Sequence, residues 1–111
     1  MNNPKFQIFQ SSRNSEYYYR LKSVNGEVIF SGEGYKTKQC CKDGIASVKT
    51  NAPYDSRYVR KDAVANYTFN LKANNGEIIG RSENYTTSIN RENGIAAVKR
   101  DAPNAPTEDL A

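Results

Sequence analysis

The chain has 111 residues, sixteen basic and twelve acidic, with no histidine and a formal net charge of +4. One domain is expected at that length, and about 65% of the unfolded chain's surface can be buried without metal or disulfide staples. Hydrophobic residues at 37% exclude a disordered composition, and no stretch approaches the roughly 18 apolar residues of a membrane span.

Taken in chain order, Lys5 to Phe9 is the first strand candidate. Tyr17, Tyr19 and Leu21 then alternate with Tyr18, Arg20 and Lys22, the period-two pattern of a strand with one buried face. Asn25-Gly26 marks a hairpin, for which a type I′ turn is expected, and Glu27 to Ser31 returns. Thr37 is a candidate N-cap, and Cys41, Ile45, Val48 and Ala52 form one stripe of a helix of roughly 13 residues. Pro53 ends that helix by removing a backbone donor. Arg57 to Arg60 is a further strand candidate. A second alternation follows in Tyr67, Phe69 and Leu71, then Asn75-Gly76 and a returning strand from Glu77 to Ser82. Thr87 caps a helix whose stripe reads Arg91, Ile95, Val98 and Ala102, ended by Pro103. The tail from Pro106 to Leu110 is short enough to pair only briefly.

These elements are one unit written twice. Residues 17–53 align with 67–103 at a constant offset of 50, and seventeen of the 37 positions are identical. A single unit exposes most of its sheet and is marginal alone. The predicted fold is therefore α+β, with two tandem β-β-β-α(-β) repeats sharing one antiparallel sheet. Both helices pack on one face about a pseudo-twofold axis. Residues 1–111 form one domain, about 4–54 in repeat one and about 55–110 in repeat two.

Asn25-Gly26-Glu27 with its copy Asn75-Gly76-Glu77, and Gly44-Ile45-Ala46-Ser47-Val48-Lys49 with Gly94-Ile95-Ala96-Ala97-Val98-Lys99, resemble the YegP family of small bacterial tandem-repeat proteins of unknown function. The resemblance implies the same two-repeat architecture with exchanged end strands, and carries no catalytic residues to transfer. Cys40 and Cys41 stand where alanine or serine would be at home.

Chemistry is sparse. Without histidine there is no Ser-His or Cys-His nucleophile, and two cysteines alone make no zinc site. Gly32-Glu33-Gly34 lacks the Gly-Lys-Ser/Thr end of a phosphate loop. No catalytic residue, metal or cofactor is expected. Cys40 and Cys41, too close in sequence for a mutual disulfide, read as free thiols. Either they or a Glu33–Glu83 pair are candidates for reactivity, with burial and a surface ion pair as the plainer readings. Gly26 and Gly76 are read as turn residues, and Gly44 and Gly94 as packing positions rather than points of ligand approach.

The sheet face away from the helices is the candidate ligand surface, through Phe9, Tyr18, Arg20 and Lys22. Aromatics among cations suit stacking and phosphate contact, although Val59, Thr68, Asn70 and Lys72 in repeat two lack the aromatics. The leading expectation is a non-enzymatic binding or interaction module of unknown partner, monomeric or weakly dimeric and not membrane-bound. A single-stranded nucleic-acid binder, permitted but not favoured as a partner class, and a thiol-dependent stress or redox protein are the alternatives. No apolar run follows Met1-Asn2-Asn3-Pro4-Lys5, so an export signal is not expected and a cytoplasmic location is.

Overall fold

The computed structural model describes residues 3–111. Met1 and Asn2, which open the expected domain and the stretch read for an export signal, lie outside the described residues. The chain forms β1 (Lys5–Gln10), β2 (Tyr17–Lys22), β3 (Val28–Ser31), α1 (Lys38–Asn51), β4 (Tyr58–Lys61), β5 (Thr68–Lys72), β6 (Ile78–Ser82), α2 (Ser88–Asp101) and β7 (Thr107–Asp109). Short 3-10 turns at Asp55–Arg57 and Ala102–Asn104 follow the helices. All strands join one seven-stranded sheet in the order β4-β5-β6-β3-β2-β1-β7. The two repeats therefore meet where β3 pairs with β6, Phe30 opposite Ser82 and Ser31 opposite Arg81.

The alternation falls as the sequence predicts. Tyr19, Leu21, Phe69 and Leu71 are fully buried and share one core with Ile45, Val48, Ile95 and Val98 from the helices. Each helix starts where its threonine caps it: Thr37 Oγ1 accepts from Cys40 N at 3.0 Å, and Thr87 Oγ1 from Asn90 N at 3.1 Å. Just before each helix an isolated bridge ties Tyr35 to Tyr17 and Tyr85 to Tyr67. The bridge brings the Tyr35 and Tyr85 phenols under Gly44 and Gly94, where an added Cβ would collide with the tyrosine hydroxyl. These glycines make room for a ring.

Two features depart from simple expectation. The hairpins are not type I′: positive φ occurs at Gly26 (83°) and Gly76 (87°) but not at the preceding asparagines. Gly26 N donates to Ser23 O and Ser23 N to Glu27 O, both at 2.9 Å, a three-residue loop with glycine in the left-handed position. Asn25 Oδ1 accepts from Glu27 N at 3.1 Å, and this local bond holds the asparagine in ordinary turn geometry. Second, the sheet is antiparallel except at one edge, where β7 runs parallel to β1. Having crossed back from α2 in repeat two, β7 meets repeat one with β1 already beside β2, and takes the next place outward. It is held there by Phe6 N to Pro106 O and Leu110 N to Ile8 O, each 2.8 Å.

Candidate functional site

With both helices on one side, the other side of the sheet is open. The strand registers align a row across all seven strands on that face: Val59, Asn70, Arg81, Ser31, Arg20, Gln7 and Glu108. The next row places Phe9 opposite Tyr18, and another places Lys5 opposite Lys22. Three of the four expected residues therefore form one cluster. The Phe9 and Tyr18 rings stack with centroids 5.8 Å apart at 18°, and the Arg20 guanidinium lies 4.7 Å over the Phe9 ring. Lys22 lies one row away, beside Lys5 rather than against the aromatics.

Arg20 is held in place rather than free. Its Nε donates to Gln7 Oε1 at 2.9 Å, and Gln7 Nε2 donates to Glu108 Oε1 at 2.6 Å. Glu108 also meets Lys5 at 3.4 Å, and these bonds hold its carboxyl below the usual carboxylate range. The edge strand β7 thus positions the cluster through a polar relay. Tyr18 Oη accepts from Asn14 Nδ2 at 2.9 Å, and a polar cavity of about 450 Å³ between Tyr18 and Arg13 extends the cluster into the β1–β2 loop. Arg13, Asn14 and Gln7 are parts of this surface that periodicity does not reveal, because a loop and a cross-strand bond carry them.

Repeat two presents a different surface. Lys61, not Val59, is the register equivalent of Phe9, since it lies opposite Thr68 as Phe9 lies opposite Tyr18. Without the ring pair, a concavity of about 320 Å³ opens there, lined by Lys61, Thr68, Asn70 and Arg81 among others. Strand alternation places Lys5, Arg20, Lys22, Lys61, Lys72 and Arg81 on the open face. Glu33 meets Arg81 at 3.0 Å as a surface ion pair, the plainer of the two readings of the repeated Glu33 and Glu83.

The thiols are free, with Cys40 exposed and Cys41 in the core. Desolvation, with a smaller contribution from Asp109, pushes the Cys41 thiol up to about 11, so the reactive thiolate is disfavoured near neutrality. Its counterpart Arg91 is buried too. Arg91 donates to Lys61 O at 3.2 Å, bonds Asp62 and Glu92, and lies 5.5 Å over the Tyr67 ring. Among the described residues, no three His, Cys, Asp or Glu side chains converge to hold a metal ion, and no helix is long and apolar enough to cross a membrane.

Residues 12–58 and 62–109 each match the domain of unknown function DUF1508. Among relatives, a UPF0339 protein encoded 5′ of the ptx operon in Stutzerimonas stutzeri is 46% identical over 61 residues, 55% of this chain and 54% of that protein. UPF0339 protein YegP of Yersinia pestis is 40% identical over 57 residues, 51% of each chain. The chain thus spans about half the length of these curated relatives. A UPF0339 protein of Treponema denticola is 49% identical over 49 residues, 44% of this chain but 83% of that shorter protein. Two solution structures are similar over nearly the whole chain. The UPF0339 protein of Shewanella oneidensis has a TM-score of 0.90 at 38% identity, covering 96% of this chain and 91% of that one. Escherichia coli YegP has a TM-score of 0.89 at 39% identity, covering 99% and 95%. The double match and the shared fold agree with the resemblance read from the Asn-Gly-Glu and Gly-Ile-Ala segments, and this chain belongs to the DUF1508 family, whose function is unknown.

Proposed function

We propose that this protein is a non-enzymatic binding module whose open sheet face receives an anionic partner. The observation that carries this reading is the Phe9–Tyr18–Arg20 cluster, set on a helix-free face that also carries Lys5, Lys22, Lys61, Lys72 and Arg81. Cations supply attraction at a distance, and the rings supply a stacking surface that polar side chains cannot. Among anionic partners, single-stranded nucleic acid makes use of both, and the half-buried stacked ring pair favours it as the second, narrower reading. A thiol-based function has less support, since Cys41 is buried with its thiol pushed up.

Fluorescence anisotropy of the purified chain separates these. A labelled single-stranded oligonucleotide and a base-free polyanion are titrated over a salt series. Binding of both that weakens with salt supports an anion-receiving face, and tighter binding of the oligonucleotide that falls in Tyr18→Ala supports base stacking. No binding of either at about 50 mM salt rejects both readings.

A further inference from the structure

The two halves of the open face treat one aligned pair of positions differently. Arg20 on β2 and Asn70 on β5 correspond in the repeat, and each faces a residue on the strand outside it, Gln7 for Arg20 and Val59 for Asn70. Gln7 accepts from Arg20 and so engages it. Val59 has no side-chain polar atom to offer. On its other side Asn70 lies opposite Arg81, whose guanidinium meets Glu33 instead. The Asn70 carboxamide therefore has no hydrogen-bond partner among the described residues, although the residue is only 9% exposed.

Buried amides in folded proteins are nearly always paired, and each exception asks for a cause. Asn70 is not sealed in the core. It lines the concavity of about 320 Å³ over β4, β5 and β6, and what remains accessible of it opens into that space. Beside it Thr68 brings a hydroxyl that no described residue engages. Lys61, opposite Thr68, and Arg81, opposite Asn70, stand at diagonal corners of this group. Diagonal neighbours in a sheet lie about 7–8 Å apart, within reach of long side chains. Lys61 has no carboxylate partner among the described residues. Arg81 meets Glu33 in an exposed pair of little weight, which leaves further N–H groups of its fork for a ligand. No acidic residue lines the concavity.

We propose that this concavity is a seat for a phosphoryl group, an inference that rests on the reading of the open face as anion-receiving. Asn70 Nδ2 and Thr68 Oγ1 donate from β5, while Lys61 and Arg81 close from the strands on either side. Donors arriving from three strands suit the radiating oxygens of a tetrahedral oxyanion better than the two coplanar oxygens of a carboxylate. A free phosphate ester and the backbone of a strand laid across the face offer the same chemistry, and the experiment separates them.

Spectra of the ¹⁵N-labelled full chain, side-chain NH2 pairs included, are followed as inorganic phosphate or a short single-stranded oligonucleotide replaces chloride at constant ionic strength. Saturable shifts are expected at the Asn70 NH2 pair and at the Thr68 and Arg81 amides, with phosphate half-saturating near about 1 mM. Asn70→Leu keeps the side-chain shape and removes the donor, and is expected to weaken phosphate about tenfold, read at Thr68 and Arg81. Lys61→Gln, at an exposed position, is expected to weaken it by about tenfold as well. Tyr18→Ala is expected to leave phosphate affinity unchanged. Oligonucleotide shifts at the same residues, reversed by phosphate, assign the seat to a strand's backbone. Phosphate shifts without them assign it to a free ester. The proposal is overturned if phosphate moves these signals no more than chloride does, or if either variant binds phosphate as tightly as the parent chain. Should Asn70→Leu not fold, the Asn70 NH2 pair and Lys61→Gln still decide. Binding of a base-free polyanion that persists without phosphate shifts would sink the seat and keep the wider reading of the face. Phosphate shifts without polyanion binding would do the reverse.

Discussion

Tyr19 and the half-buried Tyr85 both bury their hydroxyls, yet the two meet different fates. Tyr19 donates to Ile79 O, whereas Tyr85 has no partner. Desolvation raises the pKa of both phenols, so neither ionises near neutrality. Removing a satisfied hydroxyl leaves its partner unpaired, while removing an orphan leaves nothing unpaired. Tyr19→Phe is therefore expected to lower stability by about 1–2 kcal/mol in urea unfolding, and Tyr85→Phe to be neutral or stabilising. Equal losses in the two variants would show that the asymmetry has no energetic weight. At Gly44 an added Cβ would stand 2.5 Å from the Tyr35 hydroxyl oxygen. Alanine gains about 1 kcal/mol of helix propensity, but overpacking costs about 1–3 kcal/mol, so Gly44→Ala is expected to be destabilising on balance. A more stable variant would mean that Tyr35 yields at no cost. None of this asymmetry is legible at single positions. A glycine in a helix stripe announces tight packing, but only coordinates name the ring that fills the space.

Among elements, the hairpins, helix starts and strand faces follow from local sequence, because alternation, threonine caps and glycine's access to positive φ act within a few residues. The joint between β4 and α2 does not. Asp55, in the turn after α1, accepts from Lys99 Nζ at 2.6 Å and meets Arg60 at 3.0 Å, and Arg60 continues to Glu92 at 2.9 Å. These bonds lower the Asp55 carboxyl to about 2. A folded-state value below the unfolded one of about 3.9 stabilises above that unfolded value, and the contribution is lost as pH falls towards 2. Asp55→Asn is expected to flatten the fall in stability between about pH 4 and 2, measured by thermal unfolding across pH. An unchanged acid limb would remove Asp55 from the account. β7 belongs at this scale too. Truncation after Pro106 removes Glu108, and with it the acceptor that holds Gln7 and, through it, Arg20. Its expected effect is weaker anion binding on the open face, with near-UV tyrosine signals retained.

For the whole molecule, the decisive contact is the seam between the repeats. At the aligned positions of Phe30 and Gly80, two large side chains would meet near the pseudo-twofold axis. A Cβ at Gly80 would fall against the Phe30 ring, so one repeat supplies the ring and the other the space. Phe30 then stacks on Phe69 across the seam, and the two hydrophobic faces close into one core. Unfolding followed by far-UV circular dichroism and by tyrosine fluorescence is therefore expected to give one coincident transition, with Gly80→Val lowering its midpoint. Two separated transitions would contradict a shared core. The sequence by itself determined the elements, the duplicated unit, the buried stripes and the side of the sheet on which Phe9, Tyr18, Arg20 and Lys22 lie. Periodicity and repeat identity encode which side of each strand and helix meets water. Tertiary structure alone decided the parallel β7, the relay that holds Arg20, the burial of Arg91 and the orphaned Tyr85 hydroxyl. Each of these depends on which groups from distant parts of the chain meet across the sheet and the seam, and periodicity along one strand or helix carries no information about that meeting.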